Sequence, residues 1–102
     1  MKTIENISMR EIEKYINNME YMIIDLRERK DYIKYHIEGA VNIPYESVIN
    51  ESIYIPYNKK LVLYCEHGGV SIMAAKKLMK RGYEVINTLG GITAYERLKQ
   101  KP

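Results

Sequence analysis

The sequence LVLYCEHGGVS, residues 61–71, is the most informative part of the chain for its architecture. It begins with an apolar run that does not alternate with polar residues, the pattern of a strand covered on both faces. A short loop with a Gly-Gly pair follows, and a helical pattern then extends over residues 71–81. A buried strand that passes through a tight loop into a helix is a building unit of a parallel sheet covered by helices.

Strand and helix patterns alternate along the rest of the chain. A second apolar run covers residues 21–25, weaker strand candidates cover 40–43 and 84–89, and helical patterns lie at 28–34, 46–50 and 92–99. The sequence Ser8-Met9-Arg10-Glu11 matches a capping box, which predicts a first helix over residues 9–18. The alternation predicts an α/β fold in which a mostly parallel sheet is flanked by helices on both faces.

Length and composition narrow the class of protein. The 102 residues predict one domain covering 1–102, and the 46% hydrophobic and 28% charged residues exclude a disordered segment. The net charge of +3 comes from charges scattered along the chain, so we expect no nucleic-acid partner. No apolar run approaches the ~18 residues of a membrane span, so we expect no membrane partner. The first six residues contain no signal-peptide core, which favours a cytoplasmic location.

The single cysteine, Cys65, is the candidate nucleophile. Ligands of parallel sheets gather at the carboxyl ends of the strands, which is where Cys65 falls. Gly68 and Gly69 allow the loop to turn its backbone N–H groups inward, and the following helix adds the positive end of its dipole. Such surroundings favour the reactive thiolate, whereas a cysteine that is only a small buried hydrophobe needs none of them.

The chain resembles the single-domain rhodanese-like (sulfurtransferase) family from Tyr21 to Leu98. The resemblance is carried by DLR at 25–27, YHIEGAVNIP at 35–44, the cysteine loop, Gly82-Tyr83, and LGGI at 89–92 with Tyr95. It implies a parallel five-stranded sheet flanked by helices, with the active loop at the carboxyl edge.

The resemblance also implies a reaction. Cys65 would take a sulfane sulfur from a polysulfide, a thiol persulfide or thiosulfate and hold it as a persulfide. Cyanide, a thiol or a sulfur-accepting protein would then remove that sulfur. Neither a cofactor nor a metal is implied. The expected substrate-binding residues are those of the loop that follows the cysteine: Glu66, His67, Gly68, Gly69, Val70 and Ser71.

The loop departs from the family in its charge. Many rhodaneses have Arg directly after the cysteine and again before the Ser or Thr that begins the helix, where this chain has Glu66 and Val70. We therefore expect the thiolate to depend on backbone amides without guanidinium groups, and thiosulfate to be a poorer donor than a polysulfide.

Two other functions are compatible with the same residues. A rhodanese-like domain without turnover would act as a binding or regulatory module. A Cys-dependent phosphatase or arsenate reductase is less favoured, because tyrosine-phosphatase-like loops end in Arg at the sixth residue after the cysteine, where this chain has Ser71.

Asp25 and Arg27 are expected to brace neighbouring loops through charge-assisted hydrogen bonds. His67 lies within the loop, where exposure to solvent is favoured over a direct role.

Overall fold

The computed structural model describes residues 3–100 and contains one five-stranded sheet in the order β1-β5-β4-β2-β3, with every neighbouring pair parallel. The strands are β1 (Glu5–Ser8), β2 (Tyr21–Asp25), β3 (Val41–Asn42), β4 (Lys60–Tyr64) and β5 (Val85–Leu89). The apolar β4 lies in the centre, where both of its faces are covered. The predicted α/β class and the five-stranded parallel sheet are confirmed.

Helices cover the two faces of the sheet. The helical elements are a 3₁₀ helix (Met9–Tyr15), α1 (Arg29–Lys34), α2 (Tyr45–Ile49), α3 (Gly69–Lys80) and α4 (Gly91–Lys99). Successive residues of β4 point to opposite faces, so Leu61, Leu63 and Cys65 pack in one core with α2 and α3. Val62 and Tyr64 pack in the other core, with the 3₁₀ helix and α4.

Three elements differ most from the sequence-based expectations. The strand β1 was not predicted, because only Ile7 of its four residues is buried and it lies at the edge of the sheet. The helix expected over 9–18 is a 3₁₀ helix that ends at Tyr15, before Asn17 takes a left-handed φ of 63°. The helix expected from residue 71 begins at Gly69, so the loop is shorter than predicted.

In residues 3–100, no helix combines the length and the apolar composition that crossing a bilayer requires.

Candidate active site

Cys65 is the first residue after β4, at the carboxyl edge of the sheet. It is buried, with 4% of its surface exposed. The backbone N–H of Gly68 donates a hydrogen bond to Cys65 Sγ at 3.1 Å. Gly68 has a φ of +104°, a left-handed conformation that turns the loop back toward the sulfur and that other residues adopt only at a cost. One of the backbone N–H groups that were expected to turn inward therefore does point at the sulfur.

The side chain of Ser71 stabilises this loop from the inside. It is fully buried, and its hydroxyl donates a hydrogen bond to the carbonyl oxygen of Gly68 at 3.2 Å. Because Ser71 is the sixth residue after Cys65, its side chain occupies the position where a phosphatase loop has its Arg. The hydroxyl holds the turn that presents the Gly68 amide to the sulfur.

The start of α4 supports the loop from the other side. The N–H of Ile92 donates to the carbonyl of Cys65 at 2.8 Å, and the N–H of Thr93 donates to the carbonyl of Glu66 at 3.2 Å. A Cβ added to Gly91 would collide with both of these carbonyl oxygens. Loop and helix therefore meet through backbone atoms with no space between them.

Gly90 lies equally close to the loop. A Cβ added to Gly68 would lie 3.0 Å from the backbone nitrogen of Gly90. This support was not predicted from the sequence, although the Gly90-Gly91 pair is part of the family resemblance. Two adjacent glycines at the end of a strand are a signal of close backbone approach.

Glu66 is held by Arg27, which comes from the loop after β2. Arg27 Nη1 lies 3.6 Å from Glu66 Oε1. The same guanidinium forms a hydrogen-bonded salt bridge with the buried carboxylate of Asp25. In this salt bridge Arg27 Nη2 lies 2.9 Å from Asp25 Oδ2. A guanidinium from another loop therefore balances the Glu66 carboxylate. That the Cys65 thiolate depends on backbone amides stays a prediction. The register of β2 beside β4 places Asp25 opposite Tyr64, which brings the loops after the two strands together.

Asp25 also accepts a hydrogen bond from the hydroxyl of Tyr64, on the last residue of β4. That hydroxyl in turn accepts the N–H of Ile37 at 3.1 Å. Burial, reinforced by the hydrogen bond to Asp25, raises the pKa of the Tyr64 phenol, so it remains a donor at neutral pH. The expectation that Asp25 and Arg27 brace neighbouring loops is confirmed, and their network fixes the end of β4, directly before Cys65.

His67 is exposed at the top of the loop, as expected, but its ring is oriented. Thr93 Oγ1 lies 3.0 Å from the carbonyl oxygen of Glu66 and 3.2 Å from His67 Nδ1. A carbonyl oxygen can only accept, so the single hydroxyl proton of Thr93 is committed to Glu66. This arrangement favours the tautomer in which His67 Nδ1 carries the proton and Nε2 of the neutral ring is the acceptor.

The remaining predicted substrate-binding residues are Gly69 and Val70, at the first turn of α3. Both are exposed, with Val70 at 40%, and Met73 lies one turn further along at 57%. The mouth of the loop is thus apolar on this side. A cavity of about 610 Å³ is lined by residues at the starts of strands, including Glu5, Tyr21 and Lys60, and so lies at the opposite edge of the sheet.

In the part of the chain that the structure describes, no group of three His, Cys, Asp or Glu side chains is arranged to hold a metal ion.

Comparison with known proteins agrees with this geometry. The family model of the rhodanese-like domain matches residues 8–98. The putative sulfur carrier protein YrkF of Bacillus subtilis (strain 168) is 33% identical over 92 residues, which are 88% of this chain and 50% of that protein. A sulfurtransferase of Allochromatium vinosum is 28% identical over 86 residues, covering 83% of this chain and 80% of that protein.

Solved structures show the same fold. The rhodanese-related protein of Thermoplasma volcanium superposes with a TM-score of 0.81 at 24% identity, covering 96% of this chain and 95% of that one. This chain spans half or less of the length of several curated relatives that it matches. With the family model matching nearly all of the described residues, the chain belongs to the rhodanese-like domain family.

Proposed function

We propose that this protein is a sulfurtransferase that carries sulfane sulfur as a persulfide on Cys65. The observation that carries the proposal is the Gly68 N–H aimed at Cys65 Sγ from 3.1 Å, in a loop held by backbone hydrogen bonds from α4 and by the hydroxyl of Ser71. A fixed amide that already points at the sulfur stabilises negative charge there without reorganisation. A buried cysteine that served only as a small hydrophobe would not need this donor.

The reaction has two displacements. The Cys65 thiolate attacks the sulfane sulfur of the donor, the donor's S–S bond breaks, and the remainder leaves as a thiolate or a shortened polysulfide. The outer sulfur of the resulting persulfide bears the negative charge. An acceptor nucleophile then attacks that outer sulfur, the S–S bond to Cys65 breaks, and the Cys65 thiolate is restored. Covalent catalysis of this kind replaces one difficult transfer with two easier ones.

The charges around the loop favour a polysulfide or a thiol persulfide over thiosulfate as the donor. Arg27 is the guanidinium next to the loop, and it is engaged by Asp25 and Glu66. A thiosulfate dianion therefore has to approach past the Glu66 carboxylate, and the Arg27 guanidinium beside that carboxylate is already paired. The low exposure of Cys65 also suits a narrow chain of sulfur atoms.

The acceptor in this proposal includes a protein as well as small nucleophiles. The Bacillus subtilis relative is named a putative sulfur carrier and the Allochromatium vinosum relative a sulfurtransferase. Both names describe proteins that pass sulfur onward, which supports delivery to a protein thiol or carrier.

Intact-mass measurement tests the proposal. The protein is incubated with inorganic polysulfide, desalted and weighed beside the Cys65→Ser variant. We expect a mass gain of one sulfur atom that is absent from the variant and is removed by cyanide as thiocyanate. A well-folded wild-type protein that gains no sulfur from polysulfide, a thiol persulfide or thiosulfate would show that the domain is a binding module without turnover. The 4% exposure of Cys65 is the observation that favours that second candidate.

A further inference from the structure

An open groove of about 410 Å³ lies beside the cysteine loop. It is formed where β1 passes into the 3₁₀ helix, where β5 passes into α4, and by one face of α4. Its lining residues are all neutral or basic: Ser8, Met9, Arg10, Leu89, Gly90, Ala94, Arg97 and Leu98. The volume falls within the range of about 300–1,000 Å³ that is typical of ligand sites.

One end of the groove adjoins the active loop. Gly90 lines one end of the groove and also lies against Gly68, the residue whose N–H is bonded to Cys65 Sγ. A molecule that lies in the groove and extends past Gly90 therefore arrives at the loop that would hold the transferred sulfur.

The floor of the groove is apolar. Ala94 and Leu98 are spaced at i and i+4 on α4, so they lie on one face of the helix, and Leu89 beside them is 52% exposed. A small sulfur anion has no apolar part to cover such a floor. A segment of polypeptide with aliphatic side chains does.

The two cations of the groove lack acidic partners in the described chain. Within residues 3–100, neither Arg10 nor Arg97 forms a salt bridge. The neighbouring carboxylates of Glu11 and Glu13 are paired with Lys14 and Lys99, respectively.

Glu96 does not supply a carboxylate to the groove either, because it is not one of the lining residues. It lies one residue from Arg97 and so about 100° around the helix. The groove therefore presents an apolar floor between unmatched positive charges.

From this juxtaposition we infer that the groove docks an acidic, aliphatic segment of the sulfur-accepting protein and guides its thiol to Cys65. Carboxylates of the segment pair with Arg10 and Arg97, and an aliphatic side chain lies on Leu89, Ala94 and Leu98. The inference rests on the proposed function for the sulfur, whereas the docking itself needs only the groove. Complementary charge of this kind mainly selects the partner and speeds its encounter.

Model acceptors test the inference. Wild-type protein loaded with sulfur on Cys65 is mixed with cyanide, with the end-blocked peptide Glu-Leu-Glu-Gly-Cys, or with its counterpart Lys-Leu-Lys-Gly-Cys. We expect the acidic peptide to remove the sulfur about 10-fold faster than the basic one, with the difference shrinking as salt is added. Equal rates for the two peptides would overturn the inference.

Charge-reversal variants test whether the acidic peptide is recognised by the arginines of the groove. Arg97→Glu and Arg10→Glu should each slow transfer to the acidic peptide by about 3- to 10-fold and leave transfer to cyanide unchanged. Lys80→Glu, the same reversal at the far end of α3, is the matched control and should change neither rate. If Lys80→Glu slows the acidic peptide as much as Arg97→Glu does, the effect is one of net charge and the groove is not the docking site.

A binding measurement separates this inference from the proposed function. A fluorescent Ser analogue of the acidic peptide is titrated with the Cys65→Ser protein, and binding should weaken in Arg97→Glu. If cyanide never removes sulfur but this binding persists, the proposed function fails and the groove stands. A single-stranded oligonucleotide that binds the groove more tightly than the peptide, and loses binding in Arg97→Glu, would overturn the inference in favour of a polyanion.

Discussion

Arg27 Nη1 lies 3.6 Å from Glu66 Oε1, so a guanidinium that comes from the loop after β2 restrains the residue directly after the nucleophile. The side chain of Arg27 is 9% exposed and that of Glu66 is 49% exposed, so the pair spans the boundary between the interior and the solvent. Arg27 has a second, buried partner in Asp25, so we expect it to keep its position when Glu66 is changed.

The first prediction concerns donor preference. Glu66→Gln removes the carboxylate that shields Arg27 from solvent anions, so the guanidinium can attract a donor. We expect kcat/KM for thiosulfate to rise by about 3- to 10-fold while that for polysulfide changes less than about twofold. The measurement is thiocyanate production with each donor. Glu28→Gln, a change to an exposed residue paired with Lys30, is the matched control. An unchanged donor ratio in Glu66→Gln would show that Arg27 does not reach the donor.

The second prediction concerns the contact between α4 and the loop. Gly91 has a φ of +61°, and a Cβ there would overlap the carbonyl oxygens of Cys65 and Glu66. Gly39 has a φ of +80° but nothing within 4 Å of an added Cβ, so it isolates the cost of the backbone conformation. We expect Gly39→Ala to lower the free energy of unfolding by about 1–2 kcal/mol and Gly91→Ala by about 3 kcal/mol or more.

Urea unfolding of the two variants measures these losses. Gly91→Ala should also form less persulfide than Gly39→Ala when both are folded. Equal losses of stability would mean that the loop moves aside without resistance.

The third prediction concerns the proton on His67. Because the Thr93 hydroxyl donates to the Glu66 carbonyl, the neutral His67 ring should be protonated on Nδ1 in the wild type. Nitrogen-15 shifts of the ring measure the tautomer. Thr93→Val should abolish this preference. His36 is an internal control, since its Nδ1 lies 2.8 Å from the carbonyl of Tyr32 and should stay protonated in both proteins. A wild-type His67 protonated on Nε2 would contradict the assignment.

The fourth prediction concerns stability at high pH. Burial, together with the neighbouring Tyr57 ring, raises the pKa of Tyr83 to about 12, whereas an unfolded tyrosine titrates near 10. Between these values the unfolded chain loses the proton while the folded chain keeps it. The free energy of unfolding should therefore fall as the pH rises from about 10 to about 12.

Tyr83→Phe tests this dependence. The variant loses the hydrogen bond to the Ile55 carbonyl and is less stable at neutral pH by about 1 kcal/mol. Its unfolding free energy should nevertheless decline less steeply over the alkaline range. Tyr54→Phe, at a residue that is 78% exposed, should leave the slope unchanged. Equal slopes in Tyr83→Phe and the wild type would refute the assignment.

Much of the fold was predictable because its strongest signals are local. The apolar runs of β2 and β4 mark strands covered on both faces, and the glycine loop after Cys65 marks the passage into α3. The strand β1 was not predictable in the same way. Its residue Ile7 is buried, but its polar neighbours become a strand only because β5 pairs with them from 81 residues away, with Glu5 beside Ile86.

The same distinction between local and long-range signals applies to the candidate site. The nucleophile and the turn at Gly68 follow from the local sequence. The Arg27–Glu66 pair depends on the register of β2 against β4, and the support by α4 depends on how that helix meets a loop far from it in the chain. Such contacts are set by tertiary packing, so no local pattern around Cys65 reveals them.

The direction of the first and last elements affects how this domain combines with others. The strand β1 runs toward the carboxyl edge of the sheet, and α4 starts at that edge and runs away from it. Additional polypeptide joined before β1 or after α4 would therefore attach on the side remote from Cys65. In a longer protein, Cys65 would therefore lie at the end of the domain that faces away from the neighbouring domains. A partner could approach that end without displacing them.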